Sequence, residues 1–447
     1  MPPASRPAAT ATANAPVATN APPAYCAIDF GTSNSAIALP AEGDRVQLVP
    51  VEDGQPTMPT AVFYALEGLA PQEAPRRLYG RAAMAAYVEG QEGRLMRSMK
   101  SVLGTSLVDQ GTEVGGGHAV QFLDVLAGYL NHLKGLAEAR AGQPLRRAVL
   151  GRPVFFVDDD PQRDAQAQAA LAEAARRVGF ESVSFQYEPI AAALDFEAGV
   201  DREQLVLVAD IGGGTSDFSL VRVGPQRRQR VDRGDDILAS HGVHVAGTDF
   251  DRHVELAALL PLAGFRALGP PPAEREVPSK VYFDLATWHL VNTVYTPARV
   301  MELRRMKSFY ADPRLHARLM RIIDEHLGHA LLAQAEAAKI AVAEGRPALA
   351  RLDALEAGLQ APLGEAQTLA AIEADLARIV QAGVQTARLA GVAPAQVQAV
   401  YLTGGSTGLA PLAQRIAAPF GNARLVRGDR LASVAQGLGL HARRVFG

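Results

Sequence analysis

The chain has 447 residues, of which 48% are hydrophobic and 20% are charged, and its formal net charge is −3. These values are typical of a globular, soluble protein, and the small net charge gives no general reason to expect nucleic acid or an anionic membrane as a partner. The chain is too long for one ordinary core, so the sequence predicts two lobes, and its single cysteine, Cys26, excludes an intrachain disulfide.

The N-terminal segment and the apolar runs indicate where the protein resides. Residues 1–23 are rich in Pro, Ala, Thr and Asn and contain no hydrophobic stretch, so we expect a disordered tail and not a secretion signal. The longest apolar run, Leu256–Phe265, is too short to span a bilayer and contains Pro261. These patterns predict a cytoplasmic protein without a membrane span.

The first predicted lobe covers residues 24–204 and has an α/β pattern. It opens with a hairpin and continues, after a mixed region, with a helix over Phe122–Arg140 and a strand and loop over 148–156. The clearest helix runs from Asp160 to Val178, because Asp160 can cap it, Pro161 suits its first position and Gly179 can end it. Strand, helix and strand in this order predict a sheet with parallel strands.

The second predicted lobe covers residues 205–430. It opens with its own hairpin and becomes mostly helical from Asp251 to about Leu389, with a loop expected in the Pro/Ala-rich stretch 346–364. A final strand, turn and helix follow over 400–412. Residues 431–447 are predicted to form a closing helix that packs back on the first lobe.

Two segments, AIDFGTSNSAIAL (27–39) and VLVADIGGGTSDFSLVRV (206–223), repeat one pattern of strand, aspartate, Gly/Thr/Ser turn and strand. Consecutive N–H groups in such a turn form a nest for anionic oxygens. Asp29 and Asp210 stand where a carboxylate can hold the water shell of a magnesium ion. The recurrence predicts that the two turns grip one polyphosphate from opposite sides.

A third Gly-rich turn, Gly404-Gly405-Ser406, follows the apolar strand residues Val400–Leu402 and precedes a helix. Its backbone N–H groups would lie at the N-terminus of that helix, where the positive end of the helix dipole favours the binding of an anion or a ribose. Taken alone, this turn is also compatible with a plain strand-to-helix connection. Together with the two hairpins, it completes a predicted nucleotide cleft.

Two other groups of side chains carry weaker signals. Arg227, Arg228, Arg230 and Arg233 form a basic cluster among short loops, which predicts a solvated turn that an acidic partner could also use. His326 and His329 are three residues apart on a predicted helix, but no acidic or cysteine cluster accompanies them, so they do not predict a metal site.

The motifs together resemble the nucleotide-binding domain of DnaK-type heat-shock chaperones, within the superfamily of actin, hexokinase and the heat-shock ATPases. The resemblance covers residues 24–440 and rests on IDFGTSNS (28–35), MKSVLG (99–104), YEPIAAAL (187–194), DIGGGTSD (210–217), HVAGTDFD (244–251) and AEAAKIAV (335–342). It implies an α/β, actin-like ATPase fold, in which two lobes with mixed sheets and flanking helices enclose ATP or ADP with Mg²⁺. The outline, including GRPVFF and the segment 428–438, is similar to the YegD-like branch of the family.

The resemblance also implies roles for individual residues. The expected catalytic residues are Lys100, Glu188, Asp210, Thr215 and Asp217, and the expected phosphate-binding residues are Asp29, Gly31, Thr32, Ser33, Asn34, Gly212, Gly213, Gly214 and Thr215. The expected nucleoside-binding residues are Glu336, Lys339, Ile340, Gly404, Gly405, Ser406 and Gly408. Asp29 and Asp210 are expected to hold the metal through water, and Pro153, Arg163 and Glu188 are expected to form the interlobe switch. Phosphoryl transfer needs charge neutralisation around the γ-phosphate and an aligned nucleophile, which these residue types can supply.

The chain departs from the family pattern in three places. Ile340 and Gly408 stand where the family has two arginines that sandwich adenine, so we expect base discrimination to be weak. The region 252–335 is longer than the family's peripheral subdomain and holds the only tryptophan, Trp288. The sequence stops at Gly447, so we expect no peptide-binding domain.

The sequence therefore predicts a slowly hydrolysing ATPase that acts as a nucleotide-driven switch, read by an unidentified partner protein. We expect a monomer that binds neither nucleic acid nor membrane. Three alternatives remain open: a small-molecule kinase of the same superfamily, an actin-like filament protein, and a nucleotide sensor that does not hydrolyse.

Overall fold

The computed structural model describes residues 24–43, 45–69, 73–105, 108, 110–115, 117–272, 274–429 and 432–447. The predicted tail of residues 1–23 lies outside the described residues. We call residues 24–204 lobe I and residues 205–430 lobe II.

Lobe I alternates strands and helices along the chain. Its elements are β1 (Tyr25–Phe30), β2 (Asn34–Pro40), β3 (Val46–Leu48), β4 (Thr57–Pro59), β5 (Ala61–Ala65), β6 (Arg76–Tyr79), α1 (Gly80–Val88), β7 (Gly93–Arg97), a 3₁₀ turn (Met99–Val102), β8 (Gly111–Gly115), β9 (His118–Gln121), α2 (Phe122–Ala141), β10 (Arg147–Arg152), α3 (Pro161–Arg177), β11 (Ser182–Tyr187) and α4 (Glu188–Ala198).

The main sheet of lobe II is built from strands near both ends of its sequence, with a mostly helical region between them. Its elements, with the closing helix, are β12 (Gln204–Ile211), β13 (Ser216–Val223), β14 (Ile237–Val243), α5 (Gly247–Val254), α6 (Lys280–Leu285), α7 (Pro297–Arg305), α8 (Pro313–Asp324), α9 (Gly328–Ala343), β15 (Ala348–Arg351), β16 (Gln360–Leu363), α10 (Glu365–Leu389), β17 (Ala399–Thr403), α11 (Ala410–Ala417), β18 (Arg424–Arg427) and α12 (Ser433–Phe446). A π-helical turn (Glu255–Leu259) and 3₁₀ turns (Gly234–Asp236, Leu260–Ala263, Val291–Tyr295, Met306–Phe309, Pro394–Gln396, Gly405–Gly408 and Ala418–Phe420) connect them.

The main sheets of the two lobes have the same topology. Lobe I has the order β11-β10-β1-β2-β3, and lobe II has the order β14-β13-β12-β17-β18. In each sheet an antiparallel hairpin, β1–β2 or β12–β13, lies beside two strands that run parallel to its first strand. Two mixed sheets with flanking helices confirm the actin-like fold that the resemblance implied.

Local signals explain why the hairpins and α3 form where the sequence predicted them. Asp160 accepts a hydrogen bond from the Arg163 backbone N–H at 3.0 Å, Pro161 is the first residue of α3, and Gly179 has a φ of 90° just after its end. β1 pairs with β2 from Ala27–Ala38 to Phe30–Ser35, and β12 with β13 from Gln204–Val223 to Ile211–Ser216. Both phosphate motifs therefore lie at hairpin turns, as predicted.

A shared core joins the two sheets through α4 and α12. Ile190 and Ala191 of α4 and Leu438 of α12 pack with Val149 from lobe I and Val208 from lobe II, and all five are buried. α12 also packs against β1, β2 and β10. The helices α4 and α12 and the two main sheets therefore form one continuous apolar core that joins the lobes.

Two expectations need correction. The Pro/Ala-rich stretch 346–364 is not simply a loop, because β15 and β16 pair within it as an antiparallel hairpin. The Arg227–Arg233 cluster is a solvated turn only in part, because Arg230 is exposed and Arg233 is buried. Arg233 is 2% exposed and pairs with Glu197 and Asp236, which are both buried. Acidic side chains of the chain itself thus neutralise this cluster.

Among the described residues, none of the helices combines the length and the apolar content that crossing a membrane requires.

Candidate functional site

The floor of the candidate site lies at the carboxyl ends of the first strands of the two main sheets. Asp29 is near the end of β1, and Asp210 is near the end of β12, directly opposite Asp217 on β13. Ligands of open α/β sheets bind outside the carboxyl ends of strands. The two matching sheets therefore bring both predicted metal aspartates to one place between the lobes.

An ion pair between Lys100 and Glu188 stands over this floor. Lys100 lies on the 3₁₀ turn that follows β7, and Glu188 is the first residue of α4. The Lys100 ammonium donates to a Glu188 carboxylate oxygen at 2.5 Å, and both side chains are largely buried. Burial alone would lower the pKa of Lys100, but Glu188, with smaller effects of Asp29 and Asp217, raises it. Lys100 thus stays charged inside the cleft.

The carboxylates around Lys100 repel one another. Burial and the charge of Glu188 raise the pKa of Asp29 to about 8, with Lys100 opposing the shift. Burial and the charge of Asp217 raise the pKa of Asp210 to about 7. Burial and the charge of Glu188 raise the pKa of Asp217, and the hydrogen bond from the Thr215 hydroxyl opposes this shift. Ionisation of all four carboxylates beside a single lysine would leave a surplus of negative charge, and without a cation Asp29 and Asp210 therefore hold protons near pH 7.

This surplus fits a cation that keeps its water shell. Within the described ranges, no group of three His, Cys, Asp or Glu side chains is close enough to bind a metal ion directly. Magnesium usually retains several waters and takes only one or two carboxylates. Asp29 and Asp210 therefore fit the water-mediated role that the sequence predicted for them.

Hydrogen bonds from the third turn and from α5 hold the second phosphate turn in place. The Ser406 hydroxyl donates to the Gly212 carbonyl at 2.7 Å, and the Thr248 backbone N–H donates to the Gly213 carbonyl at 2.8 Å. The Thr215 hydroxyl donates to an Asp217 carboxylate oxygen at 2.8 Å. The third turn, which contains Ser406, is thus joined to the second, as a shared nucleotide cleft requires.

The two phosphate turns touch each other. The Ser33 hydroxyl oxygen lies 2.8 Å from the place that a Cβ on Gly213 would occupy. On the other side of the first turn, the Thr60 N–H donates to the Ser33 carbonyl at 2.9 Å. Gly31, Thr32 and Asn34 lie in the same β1–β2 turn, and Gly214 is exposed at the tip of the other. The tips of the two phosphate turns therefore lie close together.

The predicted nucleoside residues on α9 face the start of α5. The Lys339 ammonium pairs with Asp251 at 2.6 Å and donates to the Gly247 carbonyl at 3.2 Å, while Gly247 N–H donates to the Gly212 carbonyl. Glu336 is exposed, but it is close enough to raise the pKa of Asp251. α9 is therefore connected to the second phosphate turn through α5.

The two positions that lack the family's arginines are accessible. Ile340 is 46% exposed on α9, and Gly408 is partly exposed at the end of the 3₁₀ turn that begins at Gly405. Gly404, just before that turn, lies against an Asp210 carboxylate oxygen, so the third turn borders the site floor.

The predicted switch residues have partners that the sequence did not indicate. The Arg163 guanidinium donates to the Gly104 carbonyl at 2.8 Å, just after the 3₁₀ turn that carries Lys100. Arg152, which we did not predict, donates to the Pro153 carbonyl at 3.0 Å and lies over the Tyr187 ring at 5.1 Å. Arg163 thus supports the Lys100 segment, whereas Arg152 joins Pro153 to the strand that leads into Glu188.

Two further acidic residues near the site were also missed. Burial raises the pKa of Asp251 to about 6, against the opposing charge of Lys339. Glu255, on the π-helical turn, is fully buried, and burial raises its pKa well above the usual range. Asp251 belongs to the HVAGTDFD motif, so the sequence contained a signal from which this residue could have been identified. Nothing in the sequence marks Glu255.

Comparisons with known proteins agree with this geometry. A family model described as Hsp70 protein matches residues 25–255. The chain is 31% identical over 234 residues to the chaperone protein DnaK of Thermosipho melanesiensis, across 51% of this chain and 34% of that protein. It is 31% identical over 230 residues to the chaperone protein DnaK of Thermosipho africanus, with the same two shares. The match thus spans about a third of the length of these relatives.

Proposed function

The chain belongs to the Hsp70 protein family and carries an ATPase domain of that type, and from this premise we propose that it binds MgATP between its lobes, hydrolyses it slowly and acts as a nucleotide-driven switch. The observation that carries the proposal is the convergence of Asp29 and Asp210, at two matching hairpins, on the Lys100–Glu188 ion pair. Their charges and the backbone turns around them suit a polyphosphate with a hydrated cation.

Each residue of this cluster has a distinct proposed role. Asp29 and Asp210 hold the water shell of Mg²⁺, which neutralises phosphate charge when bound. Lys100 places a positive charge near the γ-phosphate, and Glu188 positions the Lys100 ammonium. Asp217, held by the Thr215 hydroxyl, orients the attacking water. Closure of the lobes on the nucleotide is the signal that a separate partner protein reads.

Calorimetric titration of the folded protein with ADP tests the binding step. We expect heat of binding with Mg²⁺ present and a much weaker signal in excess chelator. Asp29→Asn and Asp210→Asn should each reduce the magnesium dependence, whereas Asp235→Asn, at a carboxylate whose side chain is 92% exposed, should not. No heat at millimolar ADP or ATP, for a sample with an intact cooperative melt, would exclude the proposal.

A further inference from the structure

One edge of the small hairpin in lobe II is open. β15 and β16 form a two-stranded sheet, and among the described residues β15 pairs with no other strand. The Leu352 N–H, just past β15, donates to the Leu359 carbonyl at 2.9 Å, and Pro362 on β16 has no N–H to donate. Bonded and non-bonded pairs alternate in an antiparallel ladder, so Leu349 and Arg351 direct their backbone N–H and C=O groups away from β16.

The side chains of β15 do little to protect this edge. Leu349 is 50% exposed, whereas Ala348 and Ala350 face the core of lobe II. Natural proteins usually blunt an open edge with charges, proline or a bulge, because an exposed apolar edge recruits another strand. β15 therefore offers both the backbone groups and the apolar surface that an added strand uses.

A small apolar pocket opens beside the same strand. Its volume is about 80 Å³, which is several times the space that one water molecule needs. The buried side chains of Leu331, Leu352 and Leu355 line it, together with the more exposed Ala330 and Gln334 of α9. β16 contributes nothing to this lining, so the pocket lies on the open side of β15. Its apolar walls suit one aliphatic side chain.

Arg351 gives the pocket a positively charged rim. Its side chain is exposed, and no acidic side chain of the described residues forms an ion pair with it. The acidic residues that follow it in the chain have other partners. Glu356 pairs with Arg318 at 2.7 Å, and Asp353 accepts a hydrogen bond from the Gly358 N–H at 3.0 Å. A carboxylate from another chain can therefore pair with Arg351 without displacing an internal one.

We propose that an extended segment of another protein adds a third strand to the open edge of β15. Side chains alternate between the two faces of a strand. A residue of the segment beside Leu352 would place an aliphatic side chain in the pocket, and its neighbour in sequence would lie beside Arg351 on the opposite face. The segment therefore has Leu, Ile or Val directly next to Asp or Glu. This binding is separate from that of nucleotide.

Fluorescence polarisation tests the proposal with a short labelled peptide that alternates Leu with Glu and has blocked ends. The full chain should bind this peptide. A peptide of the same composition, with Leu and Glu in separate blocks, should bind about tenfold more weakly, because it cannot present the two residue types on opposite faces of a strand. Replacing Glu by Lys should weaken binding by about as much, since Arg351 then repels the peptide.

Variants at the edge test each part of the contact. Arg351→Glu should weaken binding of the Leu–Glu peptide by about tenfold and strengthen binding of the Leu–Lys peptide. Ala330→Phe should weaken both, because it fills the pocket from an exposed position on α9. Leu349→Pro removes an N–H that points away from β16, so it should weaken binding while the hairpin stays paired. Arg378→Glu is the matched control for charge, because Arg378 is exposed on α10 and does not line the pocket.

Amide hydrogen exchange locates the bound peptide. The N–H groups of Leu349 and Arg351 should exchange more slowly when the Leu–Glu peptide is bound, and unchanged exchange there would overturn the proposal. No binding at millimolar peptide by the folded wild type would also overturn it, as would equal binding by Arg351→Glu and Ala330→Phe. A homodimer that Leu349→Pro dissociates would show that a second copy occupies the edge instead. None of these measurements needs nucleotide, so the proposed function is tested separately.

Discussion

At the scale of single residues, Lys100 is a cation that lies among the carboxylates at the floor of the site. Its ammonium is held by Glu188, and the charges of Glu188, Asp29 and Asp217 raise its pKa. The positive charge is therefore fixed in place before any substrate arrives. Preorganised charge of this kind contributes to catalysis without reorganisation during the reaction.

Lys100→Ala should reduce ATP hydrolysis on the order of 10²–10³-fold and leave ADP binding nearly intact, because the lost charge acts mainly on the transition state. Phosphate release under single-turnover conditions measures the first effect, and calorimetry measures the second. Lys134→Ala, which removes a lysine paired with Glu138 on α2, is the control. An unchanged basal rate in Lys100→Ala would show that the lysine is not catalytic.

His329 should make the folded state sensitive to acid. Burial lowers its pKa from 6.5 to about 4, so below pH 6.5 the unfolded chain binds a proton that the folded chain does not. Stability is then lost as the pH falls from about 6.5 to about 4, by about 2–3 kcal/mol from this residue. His329→Phe should remove that part of the loss and also stabilise the protein at pH 7, since the ring nitrogens have no partner among the described residues.

Guanidinium unfolding followed by circular dichroism at pH 7 and at pH 4.5 measures the difference between His329→Phe and the wild type. The difference should grow as the pH falls. His289→Phe is the matched control, because His289 is exposed in the same region whereas His329 is buried. A difference that is equal at both pH values would contradict the assignment to His329.

At the scale of elements, we propose that α9 and the turn Gly405–Gly408 hold the base. Ile340 and Gly408 offer no guanidinium plane for stacking. ATP and GTP affinities should therefore differ by less than about tenfold, or 1.4 kcal/mol. Ile340→Arg together with Gly408→Arg should increase affinity for ATP more than for GTP in parallel titrations. A hundredfold preference for ATP in the wild type would mean that other residues recognise the base.

The packing of α12 on α4 depends on a glycine at the point of contact. A Cβ on Gly437 would lie 1.9 Å from the Ala191 carbonyl oxygen, which belongs to the α4 backbone and cannot rotate away. Gly437→Ala should therefore lower the free energy of unfolding by about 1–3 kcal/mol or more, as overpacking does. Since α4 begins at Glu188, hydrolysis should fall as well.

Gly135→Ala is the matched control for this substitution. Gly135 is exposed in the middle of α2 and has no atom near the place of its Cβ, so alanine should stabilise that helix by about 0.5–1 kcal/mol. Thermal unfolding of the two variants should move in opposite directions. Equal stability of Gly437→Ala and the wild type would mean that α12 can shift without cost.

The sequence predicted the elements that local signals determine. The two hairpins and the ends of α3 depend on glycines, a capping aspartate and a proline that lie next to them in the chain, so they could be located directly. The burial of Arg233 depends on contacts between residues far apart in sequence. A cluster of arginines indicates solvent until Glu197 and Asp236 are known to enclose one of them.

At the scale of the whole molecule, the lobes share a continuous core at α4 and α12. Binding energy gained between the phosphate turns can therefore change the angle between the lobes about the α4 and α12 side. A rotation of this kind alters surfaces on both lobes at once, which is a signal that another protein can recognise.

We expect a partner protein to be retained by the immobilised chain in only one nucleotide state. Lys100→Ala loaded with MgATP should be compared with the same variant free of nucleotide, because slow turnover keeps the first state populated during capture. Adding Asp29→Asn and Asp210→Asn should abolish the difference between the two conditions, since both changes weaken nucleotide binding while α12 and the shared core remain. The same partners at the same level in every condition would contradict a switch. Phosphorylation of a sugar-like substrate at rates typical of enzymes would instead identify a kinase, because the γ-phosphate would then move to a substrate hydroxyl and not to water.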